Sequence, residues 1–327
     1  MTLAVADQAP VPSGGTYDPG RPPDGEPRGR RGGRRSRSLP YVLIFPTLAL
    51  VALVLGYPIV RLGILSLQRF GLPQQFGAPP EWVGLGNFRA IVGDPYFWAV
   101  LQRTVIFCAV NVVLTMVLGT LVAVLLGRLG RRMRTLVSTG LLLAWAMPAL
   151  TATVVWQWIF DTNYGLVNWL LTELGGDFRG HGWLTDPLSF YAVATLIVVW
   201  MGVPFVAFTL HAGITQIPSD TLEAAAIDGA GPWQRFRDIV VPAVKPLLLV
   251  LVALSTMWDL KVFIQIYVLQ RAGGITRETN LLGVWAYRES IGQSRFDIGA
   301  AVALVLVAIT VLLTLVHVRQ MVRQEDL

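Results

Sequence analysis

The sequence predicts an all-α integral membrane protein, a bundle of six transmembrane helices. Three observations lead there. Of the 327 residues, 54% are hydrophobic and only 14% charged, unlike an ordinary water-soluble domain. Apolar runs of the ~20 residues that cross a bilayer recur along the chain. Basic residues gather beside those runs, as expected where they set membrane orientation.

Residues 1–38 are rich in Pro, Gly and Arg, with six arginines between Arg28 and Arg37. This composition predicts a disordered basic cytoplasmic tail. The following apolar run is too long for a cleaved secretory signal and is followed by others, so it reads as an anchor. The transmembrane domain then covers 39–327, with spans at about 40–66, 98–127, 135–160, 189–212, 242–269 and 297–318. The net charge of +6 is placed for membrane orientation and not for nucleic acid.

Loop charge orients the spans. The segment RLGRRMR at 128–134 carries four arginines and no acid, whereas 161–188 carries Asp161, Glu173, Asp177 and Asp186 against Arg179. By the positive-inside rule the first is cytoplasmic and the second external, with both termini inside. The 270–296 loop dissents, with four arginines against two acids. Trp82, Trp98, Trp169, Trp183 and Trp285 fall near the ends of the external loops, where an interfacial aromatic belt is expected. Pro148, Pro204 and Pro246 lie where they would interrupt spans three, four and five.

Between spans four and five, on the cytoplasmic side, lies the polar stretch EAAAIDGAGPWQRFRDIVVP at 223–242. Pro218 ends the preceding helix, Ser219 or Asp220 offers a cap, and Asp220-x-x-Glu223 has capping-box spacing. The alanine run favours helix, Gly229 and Gly231 permit a turn, and Pro232 suits a helix start. Trp233, Phe236, Ile239 and Val240 then share one face at helical spacing. Two short helices joined by a turn are expected over 217–242. Glu223 is open to a capping role or to a docking role with Asp220 and Asp228.

Glu223-Ala224-Ala225, three residues, Gly229, nine residues, then Ile239-x-x-Pro242 resembles the EAA loop of permease subunits in bacterial binding-protein-dependent ABC importers. Val241 stands where the family usually has Leu. Similarity to the carbohydrate-uptake (maltose/glycerol-phosphate-type) branch extends over most of the chain after residue 39. It is carried by Tyr57-Pro58, by residues 82–107 and 145–171, by WMGVPF at 200–205 and by 216–246. The resemblance implies the type I importer permease fold in the bacterial cell membrane. It implies a cytoplasmic coupling helix in which Glu223, Ala224, Ala225, Asp228, Gly229, Ile239 and Pro242 meet an ATPase. It also implies a second homologous permease, an ATP-binding cassette dimer carrying ATP–Mg, an extracellular solute-binding (lipo)protein, a sugar substrate and surrounding membrane lipid. The Gly273-Gly274 region is similar to an external loop that touches the binding protein in relatives.

The chain itself has no catalytic signature. Its two lysines, Lys245 and Lys261, follow no glycine, so the Gly-Lys-Ser/Thr that holds nucleotide phosphates is missing. His181, His211 and His317 are scattered and Cys108 is the single cysteine. No cofactor or metal is expected on this subunit.

Asp259 lies well inside span five, where a charge is costly and normally faces protein or a water-filled cavity. Ser255, Asp259 and Val262 share a face at i, i+4 and i+7. Asp259 and Ser255 suit sugar hydroxyls, and Trp258 or Phe205 suits an apolar sugar face. By resemblance the sugar site comprises Met201, Gly202, Phe205, Ser255, Asp259 and Val262. Ile264 stands where the related pattern often has Asp, and Val198 and Val262 are apolar where a polar contact could sit. Other readings stay open here: Asp259 paired with Arg103 as a structural tie, a peptide or ion permease, and a proton- or ion-coupled carrier titrating at Asp259.

Overall fold

The computed structural model describes residues 39–325. The stretch 1–38, expected to be a disordered tail, lies outside the described residues. The chain divides into two compact units, Met1–Leu55 and Gly56–Leu327. In the first, helix α1 (Leu39–Val51) contains Pro46 and passes into a π-helical turn that opens at Ala52. Its sequence is apolar all round, the pattern of a membrane span and not of an amphipathic surface helix.

The second unit starts with α2 (Tyr57–Ser66), then a hairpin of β1 (Gln68–Arg69) and β2 (Glu81–Trp82) around the short α3 (Leu72–Gln75). After α4 (Gly86–Val92) comes the long α5 (Pro95–Arg128), then α6 (Arg131–Ala146), α7 (Ala149–Ile159) and α8 (Leu166–Glu173). Next are α9 (Pro187–Ile214), α10 (Ser219–Ile227) and α11 (Pro232–Arg235), which runs through a π-helical segment, Phe236–Val240, into α12 (Val241–Asp259). The chain ends in α13 (Ile264–Arg271), α14 (Thr276–Thr279), α15 (Leu282–Tyr287) and α16 (Phe296–Glu325).

Among the described residues, five helical stretches are long and apolar enough to cross a membrane, and α6 with α7 makes a sixth if the bent pair is one span. Asp-Pro starts both long central helices. Asp94 accepts from the Tyr96 amide, Asp186 accepts from those of Leu188 and Ser189, and Pro95 and Pro187 take the first helical position.

Helices α5 and α9 run parallel and form the spine of the bundle. Their register runs from Phe107 against Tyr191 to Gly119 against Val206. A Cβ at Gly119 would lie 2.5 Å from Val206 Cγ1, and one at Gly202 would lie 2.9 Å from Thr115 Cγ2. Small residues thus bring the two backbones together, a usual device where helices associate in lipid. Helix α12 packs antiparallel on this pair, Gly213 facing Leu247 and Phe205 facing Trp258. The buried core includes Phe190, Ile197, Ile266 and Leu269 where α9 meets α13, and Val206, Leu210 and Leu251 where α9 meets α12.

Several expectations need correction. Only Pro148 breaks a span: α6 and α7 diverge by 103° there. Pro204 and Pro246 sit inside continuous α9 and α12. The second helix of the 217–242 element is not a separate unit, because α11 passes through the π-helical segment into α12. Trp285 is buried against Phe97 and Tyr96, and Trp183 stacks on Phe178 while its Nε1 donates to Asn168 Oδ1 at 2.6 Å. Neither is a free interfacial ring, whereas Trp82, Trp98 and Trp169 are exposed.

Candidate functional site

Two features stand apart from the packed bundle: a cavity beside two helix breaks, and an exposed helix–turn at the end where α9 finishes.

The cavity has a volume of about 590 Å³, within the range of small-molecule sites. Of the residues expected to bind sugar, Met201, Gly202, Phe205, Asp259 and Val262 line it. Ser255 does not; it is 4% exposed within the bundle. The single helical face drawn through Ser255, Asp259 and Val262 is also corrected. Helix α12 stops at Asp259, and Val262 belongs to the non-helical break before α13. Here the Leu260 amide donates to the Thr256 carbonyl at 3.1 Å and the Lys261 amide to that of Trp258 at 3.1 Å.

The first amides of α13 have no acceptor within their own helix, since its i→i−4 ladder begins at Tyr267 donating to Phe263 O at 2.9 Å. Ile264 and Gln265 of that turn line the cavity. Irregular backbone at membrane depth is tolerated where it is covered by protein or faces a cavity.

The chemistry of the cavity is divided. Phe205 and Trp258 meet edge to face with centroids 5.1 Å apart. Also lining the cavity, Asp259 is 8% exposed, and its Oδ2 has no hydrogen-bond partner among the described residues. The alternative tie to Arg103 is absent: Arg103 Nη1 donates to the Arg277 carbonyl at 2.9 Å, and no ion pair joins it to Asp259. Lys261 is exposed at the cavity, and Gln265 Nε2 lies 3.8 Å from Met201 Sδ. The site therefore offers an acceptor, a cation, an amide and aromatic faces.

Sequence reasoning missed Trp145, Phe263 and Gln265 as lining residues. The signal for Trp145 was its place three residues before Pro148. The other two needed the α12–α13 break, which hydropathy does not reveal. Gly202 lines the cavity but also packs on Thr115, so its small size already has a reason in helix packing.

At the other feature, Glu223, Ala224 and Asp228 are exposed and Ala225 partly so. No side chain caps α10; Ser219 Oγ donates to Asp220 Oδ1 at 3.2 Å, so the expected capping box is not formed. The far end is built more firmly. The Ala230 amide donates to Ala225 O at 2.9 Å, the Gly229 amide donates to Ala226 O at 3.1 Å, and Gly229 has φ +82°. This is a Schellman turn, whose left-handed residue strongly favours glycine. Ile227 is 86% exposed and Trp233 69% exposed, with Trp233 against Phe236 at 5.6 Å. Ile239 borders a second cavity, between the end of α9 and α12, and Pro242 lies exposed in the first turn of α12.

Several helices long and apolar enough to cross a membrane, with a cavity beside their breaks and an exposed helix–turn, define a polytopic membrane protein. The chain belongs to the family of binding-protein-dependent transport system inner membrane components, whose model matches residues 115–323. It is 41% identical over 303 residues to the diacetylchitobiose uptake system permease protein DasB of Streptomyces coelicolor, covering 92% of each chain. It is 32% identical to the sulfoquinovosyl glycerol transport system permease protein SmoG of Agrobacterium fabrum, covering 89% of this chain and 92% of that protein. It is 33% identical to the trehalose/maltose transport system permease protein MalF of Thermococcus litoralis, covering 87% of this chain and 94% of that protein. A chain from the crystal structure of a bacterial ABC transporter that imports alginate superposes with a TM-score of 0.75 at 21% identity, covering 87% of this chain and 95% of that chain.

Proposed function

We propose that this chain is one permease subunit of an ATP-driven sugar importer, forming half of the translocation pathway. The observation that carries the cargo reading is the cavity in which Phe205 and Trp258 flank the unpartnered Asp259 carboxylate. The rings suit an apolar sugar face and the carboxylate accepts hydroxyl or amide hydrogens. Relatives named for diacetylchitobiose, sulfoquinovosyl glycerol and trehalose/maltose support a small glycoside as cargo.

In this reading both termini are cytoplasmic, so α10 and its turn face the cytosol and the 161–188 and 272–295 segments face outward. Glu223, Ala224, Ala225, Asp228 and Gly229 then dock on a partner ATPase, with Ile239 and Pro242 setting the junction with α12. The ATPase dimer binds ATP–Mg, and this subunit binds no cofactor. A second homologous permease supplies the other half of the path, and an extracellular solute-binding protein delivers the sugar. Closure of the ATPases draws the coupling helices together and opens the cavity outward; hydrolysis resets it.

The test is uptake of labelled disaccharides in cells carrying the whole transporter, with the chain deleted and restored. Restored uptake that survives an uncoupler while ATP is held constant is expected. Uptake that collapses with the uncoupler under constant ATP contradicts the mechanism.

A further inference from the structure

Near the end where α5 and α9 begin, the two helices leave a groove between them of about 350 Å³, within the range of small-molecule sites. Ile106 and Val110 of α5 and Leu188 and Ala192 of α9 wall it, and no acid is among its lining residues. All four are exposed, so the described residues leave the groove open. It shares no lining residue with the cavity beside Asp259.

Arg103 lies at the end of the groove nearest the helix starts. Its Nη1 donates to the Arg277 carbonyl at 2.9 Å, which fixes the guanidinium and leaves Nε and Nη2 for a second partner. No carboxylate pairs with it among the described residues. Tyr191 lines the groove too, its ring 5.7 Å from that of Phe107. The Tyr191 Oη is buried without a hydrogen-bond partner among the described residues.

Helix length places both groups in the membrane. At about 1.5 Å per residue, the 34 residues of α5 span about 51 Å and the 28 of α9 about 42 Å. Centred on a hydrocarbon core of about 30 Å, they pass beyond it by about 10 and 6 Å at each end. Arg103 is eight residues after Pro95 and Tyr191 four after Pro187, about 12 and 6 Å along their helices. Both therefore sit where hydrocarbon meets headgroups, and Val110 lies about 10 Å deeper.

An unpaired cation at that depth, above an apolar groove, is complementary to a phosphate that carries an acyl chain. A protein span covering the groove would have to bring an acid to the edge of the hydrocarbon, where acids are rare. A free phosphate gains nothing from the apolar walls. We infer that the groove binds an anionic phospholipid, its phosphate on Arg103 Nε and Nη2 and one acyl chain along Ile106, Val110 and Ala192. The site needs only the membrane location of the chain and stands whichever cargo is carried.

The test is native mass spectrometry of the complete transporter, delipidated and then titrated with phosphatidylglycerol. In complexes that assemble normally, Arg103→Ala is expected to weaken lipid binding about fivefold or more, the loss of one basic residue at an anionic headgroup. Arg103→Lys keeps most of the binding. Ala192→Trp fills the groove from an exposed position and is expected to weaken binding as much while the cation stays in place. Diacylglycerol with the same chains binds the wild type no better than phosphatidylglycerol binds Arg103→Ala.

Equal binding of phosphatidylglycerol by the wild type and by either Arg103→Ala or Ala192→Trp overturns the inference. So does displacement of the lipid by millimolar inorganic phosphate, which assigns Arg103 to a free anion. A photo-crosslinker at Leu188 that captures a second permease subunit in membranes, and no lipid, also overturns it and makes the groove a subunit contact.

Discussion

Gly119 of α5 and Val206 of α9 meet so closely that a Cβ on the glycine would stand 2.5 Å from Val206 Cγ1 and 2.7 Å from its Cβ. The spine of the bundle is therefore set by the absence of one carbon. Gly119→Val is expected to lower the thermal stability of the purified complex, since overpacking costs about 1–3 kcal/mol. Adding Val206→Ala restores part of the loss. Static light scattering on heating, comparing the single and double variants, checks the pair.

Asp259 gives a prediction of opposite sign for stability and function. An unpartnered buried polar atom costs about 1–3 kcal/mol, and a carboxylate at membrane depth is more expensive than an amide of the same shape. Asp259→Asn is expected to raise the melting temperature and to cut sugar uptake at least severalfold. A variant that transports normally removes the carboxylate from the path.

Trp258 and Phe205 form the aromatic wall of the cavity. Trp258→Ala removes a half-exposed ring, so stability should change little. The transport rate at saturating loaded binding protein is expected to fall about tenfold or more, in line with losing an apolar contact to substrate. Trp258→Phe should retain most of the rate. Equal rates for the alanine and phenylalanine variants would remove the ring from substrate handling.

The sequence reveals what repeats or what is chemically singular. Apolar runs disclose α5, α9 and α16, but the spans expected from 98 and 189 miss the Asp-Pro starts of α5 and α9 at Pro95 and Pro187. The Gly229 turn is legible because the Schellman geometry leaves few alternatives to glycine. The cavity is less legible. Its decisive feature is the break between Asp259 and Ile264; Asp259 and Lys261 mark the place as polar, but their presence in an apolar span does not tell that the helix stops there. Pro148 breaks its span and Pro204 and Pro246 do not. Met147 before Pro148 is extended, with ψ 128°, as the residue preceding proline prefers, while Pro204 is buried within the unbroken α9 and Pro246 is exposed on the unbroken α12. Asp220-x-x-Glu223 has cap spacing, but α10 starts without a side-chain cap.

The central claim is that α10 and its turn transmit the work of a partner ATPase to the cavity. It is tested most directly by ATPase stimulation in the reconstituted transporter carrying Gly229→Pro or Glu223→Ala. Proline cannot adopt the φ of +82° found at Gly229, and Glu223→Ala leaves the fold of the exposed helix intact. The expected result is a Gly229→Pro complex that loses stimulation by loaded binding protein, and a Glu223→Ala complex that assembles but is stimulated severalfold less than wild type. Stimulation equal to wild type in both variants would contradict the account.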